Sequence, residues 1–348
     1  MNRLIALFAS AVALGAILFW VSLRDLNSWS LDSKDLDSDI IVHFPRGTKL
    51  TELGVVLERE GLVSSALRFN IWVRLRGDYA RFQAGNYKFI KGKIAPTTII
   101  ETMIKGEAYV PLVLQITIPE GFNTRQIAAR LEGLGLGTKA EILKLMISER
   151  LLDELKVEAP SIEGYLYPAT YNYTAMPNAR TVLSDMVQTF WNRLPPNYLE
   201  DLRTVGLSLH QAVTFASLIE LETLQEDEKA KVSEVIWRRL KARDLIAIDA
   251  SLIYGIKNYK GDITWQHLRD ATNKYNTRIH RGLPPGPIGS PSASSLTAVL
   301  KPTTAGYYFY VLIPDGKERH HFSKSLSEHN RYVKLLLETT SKTAAAKP

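Results

Sequence analysis

The chain has 348 residues, enough for two domains, and a globular composition of 45% apolar and 23% charged residues. Its formal net charge of +7 suits an anionic partner, but the basic residues are scattered, which argues against a nucleic-acid-binding stripe. It contains no cysteine, which excludes a disulfide framework and a thiolate zinc site.

Near the N-terminus, Leu4–Leu23 runs for twenty residues without a charge. At ~1.5 Å per residue this run matches the ~30 Å hydrocarbon core of a bilayer. It exceeds a signal-peptide core and has no small-x-small cleavage site after it, so it reads as a single transmembrane helix. Arg3 before it and an acidic segment after it orient the remainder of the chain outside the cytoplasm. Residues 1–24 are thus expected to form a cytoplasmic stub and anchor, and the Ser/Asp-rich residues 25–39 a flexible tether.

An internal repeat follows. "IVHFPRGTKLTELGVVLEREGL" (41–62) and "QITIPEGFNTRQIAARLEGLGL" (115–136) align without gaps, Pro45, Gly47, Leu57 and Gly61 matching Pro119, Gly121, Leu131 and Gly135. Each copy predicts a short strand, a Pro-x-Gly turn, an amphipathic helix and a glycine stop. "PTTIIETMIKG" predicts a further short helix. The first copy belongs to a module over 40–110. The second, over 111–155, leads into a domain over 156–340, and 341–348 is expected to be a disordered tail.

In that domain "EGYLYPATYNY" (163–173) forms an aromatic segment, suited to a sugar site or to packed core. Helices are expected over about 179–194 and from Ser208, as N-cap, through "TFASLIELET". The charged "QEDE" reads as a turn before an amphipathic helix. "GYYFYVLIPDGKERHHFS" predicts a β-hairpin turning at Asp315-Gly316. The fold class is α+β.

Glu220 is the position that composition alone does not explain. At about 100° per residue it continues the apolar stripe of Leu209, Val213 and Ala216, whereas Glu222 lies about 200° away. Two readings compete. An apolar setting would hold the carboxyl protonated for general acid catalysis, or a structural arginine such as Arg238 or Arg239 would satisfy it. "YNTRIHRGLPPGPIGSP" (275–291) is stiffened by proline and tightened by glycine, as suits the wall of a polymer-binding groove. No nucleophile elbow, phosphate loop or HExxH helix occurs, so neither a metal nor another cofactor is expected. Asp249 is the downstream carboxylate that could approach Glu220.

These motifs together resemble the endolytic murein lytic transglycosylases of the MltG/YceG type. The match runs from about Ile41 to Tyr332 through the Pro-x-Gly repeats, "EGYLYPATY", "ASLIELET", "DASLIYG", "YNT", "GLPPGPIGSP" and "HHFSKSLSEHN". The resemblance implies a single-pass protein of the cytoplasmic (inner) membrane with a LysM-like module and an external catalytic domain. It implies cleavage within glycan strands between N-acetylmuramic acid and N-acetylglucosamine, leaving 1,6-anhydro ends and trimming or terminating nascent strands. Peptidoglycan would be the substrate, penicillin-binding-protein synthases candidate partners, and nucleic acid none. Glu220 matches the catalytic glutamate. Asp249, Tyr254, Tyr275, Asn276, Thr277, Pro284, Pro285, His320 and His329 fall in the motifs assigned to substrate binding. Ala169, Ala247, Ala250 and Ser292 depart from the expected pattern. Those departures support the alternative, a non-catalytic wall-binding scaffold that recruits synthases.

Overall fold

The computed structural model describes residues 2–345, with only the backbone described at 2–9, 11 and 340–345. The chain divides into two compact units, the division falling between Leu112 and Val113. The first contains α1 (Asn2–Leu31), β1 (Lys34–Leu36), β2 (Ile40–Phe44), α2 (Leu50–Arg59), α3 (Ala66–Arg76), a 3-10 turn (Asp78–Arg81), β3 (Gly85–Phe89), β4 (Gly92–Ile94) and α4 (Pro96–Lys105). β1 pairs with β4 and β2 with β3, both antiparallel. Leu57, Phe69, Val73, Tyr87, Ile99 and Met103 form its buried centre.

One expectation fails in this unit. The Ser/Asp-rich 25–39 segment is not a tether. Leu26, Trp29 and Leu36 are buried, the Trp29 indole donates to Ser64 Oγ at 2.7 Å, and β1 is part of a sheet. Three well-spaced apolar side chains anchor a segment whose average composition is polar. The Leu4–Leu23 run lies within α1, but the side chains at 4–9 and 11 lie outside the described residues. Among the described residues no helix is long and apolar enough to cross a membrane.

The second unit contains β5 (Leu114–Thr117), α5 (Thr124–Gly133), α6 (Lys139–Leu145), α7 (Glu149–Glu154), β6 (Thr170–Tyr173), α8 (Ala179–Arg193), α9 (Tyr198–Val205), α10 (Leu209–Glu222) and α11 (Glu226–Lys241). It continues with α12 (Asp249–Gly255), α13 (Trp265–Arg269), α14 (Ala293–Leu300), β7 (Phe309–Leu312), β8 (His320–Ser323) and α15 (Leu326–Ala345). β5–β6 and β7–β8 are antiparallel pairs, the latter being the expected hairpin. "QEDE" is not a turn: Glu226, Asp227 and Glu228 form the first turn of α11, where acidic side chains meet the positive helix end. The tail expected from 341 continues α15 to Ala345.

Both repeat copies form the expected strand, turn and helix. Gly47 and Gly121 turn with φ of 86° and 74°, and Gly61 and Gly135 stop the helices at 73° and 74°. The amides after the stops also match: Leu62 N donates to Leu57 O at 2.8 Å, and Leu136 N to Leu131 O at 3.1 Å.

α10 runs through the middle of the second unit's core, with Ala212, Val213, Phe215, Ala216, Leu218 and Ile219 all buried. Ser208 caps it through a capping box with Gln211. It packs chiefly on α14 and α11, and this fixes the position of its C-terminal turn.

Candidate active site

Glu220 occupies that turn and is 4% exposed. Its setting is charged rather than apolar. Lys229 Nζ, on the first turns of α11, lies 3.3 and 3.5 Å from its two oxygens. Ser292 donates to Glu220 Oε2 twice, from its backbone N at 2.8 Å and its hydroxyl at 2.5 Å. Ser292 is the N-cap of α14, so the carboxylate also sits against the positive end of that helix. The expected apolar surround fails because α11 and the proline-rich loop fold over the end of α10, bringing an ammonium and two donors with them. The alternative partners fail as well. Arg239 is committed to the carbonyls of Tyr308 and Ile246, and the buried cation at Glu220 is Lys229. Lys229 is itself completed by Glu226 at 2.6 Å and by the Ser292 and Ser294 hydroxyls at 2.9 Å each.

The proline-rich loop follows α10, as a groove wall would. The Pro285 carbonyl lies 3.1 Å from His210 Nε2, and Ile288 N donates to Ser217 Oγ at 3.1 Å. Gly121 N donates to Ser290 O and Ser290 N to Phe122 O, both at 2.9 Å, so the second Pro-x-Gly turn is bridged to the loop. The approach is close enough that a Cβ on Gly289 would fall 2.4 Å from Gly121 O. This contact delivers Glu120, the middle residue of that turn, to Glu220. Glu120 is pushed above the ordinary glutamate value, first by burial and then by the charge of Glu220. Sequence reasoning missed Glu120, Lys229 and the role of Ser292. The available signal was the repeat itself, which carries Arg46 where the second copy carries Glu120.

The remaining candidate residues divide into three groups. Asn276 and Thr277 are buried and bonded within the chain: Asn276 Nδ2 donates to three carbonyls, and Thr277 Oγ1 accepts from Ile248 N. They shape the segment and do not face solvent. Pro284 is likewise buried, whereas Pro285 is exposed. Tyr254 donates to the buried Glu163 at 2.8 Å, packs against the tilted Tyr275 ring at 4.8 Å between ring centres and lies under the Arg125 guanidinium. The aromatic segment itself is packed core, Tyr165 being 1% exposed.

Asp249, His320 and His329 do not meet Glu220. They line a cavity of about 380 Å³ with Glu222, Arg278 and Tyr310. Asp249 is paired with Arg278 Nε at 2.6 Å, and His320 Nδ1 is 2.8 Å from the buried Glu228. Glu222 therefore faces away from Glu220, as its angular offset requires. Tyr310 donates to it at 2.7 Å.

Desolvation pushes the Glu222 carboxyl up to about 7, and the Tyr310 hydrogen bond opposes this only in part. A carboxyl held protonated in the fold but released near its ordinary 4.5 on unfolding stabilises fully below that pH. The contribution is lost as pH rises to about 7. Glu222→Gln should therefore raise stability by roughly 1–3 kcal/mol at pH 8 and hardly change it at pH 4.5. Urea unfolding at the two pH values checks this, and an equal effect at both would refute it.

A model of the YceG-like family matches residues 42–335. A protein named endolytic murein transglycosylase from Bacillus subtilis (strain 168) is 28% identical over 315 residues, covering 86% of this chain and 85% of the relative. Its namesake from Streptococcus pneumoniae serotype 2 (strain D39 / NCTC 7466) is 26% identical over 322 residues. That alignment covers 84% of this chain but 58% of the longer relative. The crystal structure of a yceG-like protein from Listeria monocytogenes superposes with a TM-score of 0.57 at 27% identity, over 85% of this chain and 99% of that one.

Proposed function

Because the chain belongs to the YceG-like family, we propose that it is an endolytic peptidoglycan lytic transglycosylase. It cleaves the MurNAc–GlcNAc bond within glycan strands and leaves 1,6-anhydroMurNAc ends. The observation that carries this reading is Glu220: a single glutamate at a helix end, fixed by Lys229 and Ser292, at the junction of α10, the proline-rich loop and the second repeat turn. The names of the bacillary and pneumococcal relatives support it.

The chemistry needs one acid–base group. Protonated Glu220 gives its proton to the glycosidic oxygen as the C1–O bond breaks. The resulting carboxylate takes the proton of the sugar's own C6 hydroxyl, whose oxygen closes on C1. The nucleophile is already attached to the reacting ring, so its effective molarity takes the place of a positioned water. Lys229 and Ser292 hold the carboxylate in place between the two transfers. Ser292 is a departure from the family pattern, yet it supplies two of the contacts to Glu220, which weakens the scaffold reading.

The strand, helix and strand order of the first unit supports a LysM-like glycan-binding role. The uncharged Leu4–Leu23 run supports a membrane anchor with the catalytic domain outside, where nascent strands and their synthases lie. Purified chain incubated with sacculi should release anhydro-ended muropeptides, identified by mass spectrometry, and the cellular protein should fractionate with membranes. Glycan binding without such products would favour the scaffold instead.

A further inference from the structure

We propose that the cavity between the C-terminal ends of α9, α11 and α14 binds a short peptide ending in a free carboxylate, the class to which the peptide stems of the wall polymer belong. The site lies apart from Glu220, and only the choice of peptide rests on the transglycosylase reading.

The cavity measures about 540 Å³, a size typical of small-ligand sites. Its walls are tied together. The Trp237 indole donates to Val299 O at 2.8 Å and joins α11 to α14. The Tyr198 hydroxyl donates to Leu296 O at 3.0 Å and joins α9 to α14. The segment after α14 is strapped to α11, where Thr303 N donates to Ala230 O at 3.0 Å.

That strap decides the charge of the cavity. Glu234 and Arg238 are four residues apart on α11, the spacing at which an ion pair ordinarily forms. Glu234 is buried, however, and its carboxylate is taken by three donors of the strap: the Thr303 hydroxyl at 2.5 Å, Ala305 N at 3.1 Å and Gly306 N at 2.6 Å. Among the described residues neither the Arg238 guanidinium nor the Lys241 ammonium makes an ion pair or a hydrogen bond. Lys241 lies 5.6 Å from the centre of the Trp237 ring. Two exposed cations thus stand at a cavity also lined by Val299, Leu300 and Pro302. The combination suits an anion on a small aliphatic body, as in a peptide ending in an alanyl carboxylate.

The site is within reach of the cut. Lys229 on α11 and Ser292 at the start of α14 both hold Glu220. Trp237 and Val299 lie further along the same two helices, ~10–12 Å on at ~1.5 Å per residue. An extended peptide covers that span in about four residues at ~3.3 Å each. A stem peptide leaves the glycan at the muramyl residue, next to the bond that breaks, so its terminal carboxylate falls within reach of Arg238 and Lys241.

The test titrates the full chain with acetyl-trialanine and follows the Trp237 indole ¹H–¹⁵N resonance. The free acid should shift that resonance and saturate it by about 10 mM. The C-terminal amide of the peptide, and the Arg238→Gln/Lys241→Gln double variant with the acid, should each bind at least about tenfold more weakly. Lys144→Ala, which removes an exposed cation on α6, should bind as wild type. On stem-bearing glycan strands the double variant should raise KM at nearly unchanged kcat. Its melting temperature should hold, since both side chains are exposed. Should it melt early, the acid–amide comparison on the wild type decides. Equal binding of acid and amide, unaltered binding by a folded double variant, or no shift at all would overturn the proposal. A shift with phosphatidylglycerol vesicles alone would also overturn it and assign the cavity to lipid headgroups. A wild-type chain that releases no anhydro ends would defeat the transglycosylase reading instead, and the peptide titration would still decide the site.

Discussion

Glu220→Gln is expected to abolish strand cleavage while the chain still folds and binds glycan. Glutamine preserves the shape and can accept from Ser292, but it cannot donate a proton and then take one back. Removing general acid–base help typically costs ~10²–10⁴-fold, and one group serving both transfers should reach the top of that range. Stability should fall only modestly, because Lys229 keeps Glu226 at 2.6 Å and the Ser292 and Ser294 hydroxyls. Glu222→Gln is the control, since Glu222 faces Tyr310 on the far side of the helix. Anhydro-product release and thermal melts of wild type and both variants provide the comparison. A Glu220→Gln chain that keeps a tenth of the activity would make Glu220 structural.

The largest stability effect should come from Lys229→Met. Lys229 and Glu220 are each 3% exposed in their side chains, so the substitution leaves a buried carboxylate with Ser292 as its remaining partner. Breaking one side of a buried pair costs about 3–5 kcal/mol, most of it the penalty of the uncompensated charge. Combining Lys229→Met with Glu220→Gln removes that charge and should recover a large part of the loss, a coupling that a double-mutant cycle in urea isolates. Additive single and double effects, or a single-variant loss under about 1 kcal/mol, would mean that the pair is not held as described.

What was legible in the sequence was local. The repeat, the Ser208 cap, the inward position of Glu220 and the final hairpin each follow from spacing over a few residues. What was not legible depends on chain segments far apart. Ser292 reaches Glu220 across 72 residues, and Glu120 arrives through a backbone bridge from the repeat turn to Ser290. Lys229 is only nine residues from Glu220, yet the intervening charged run looked like a solvated turn rather than the start of a helix folded back on α10. Composition misled in the same way at 25–39, where Leu26, Trp29 and Leu36 decide the structure although polar residues dominate the count. Asn276 and Thr277 lie in a motif assigned to substrate, yet both are buried.

Running the reaction in H₂¹⁸O tests the central claim most directly. If Glu220 takes the C6 hydroxyl proton and that oxygen closes on C1, the new muramyl ends are anhydro sugars that carry no ¹⁸O, and Glu220→Gln yields none of them. New reducing ends labelled with ¹⁸O would show that water is the nucleophile and would contradict the single-carboxylate mechanism.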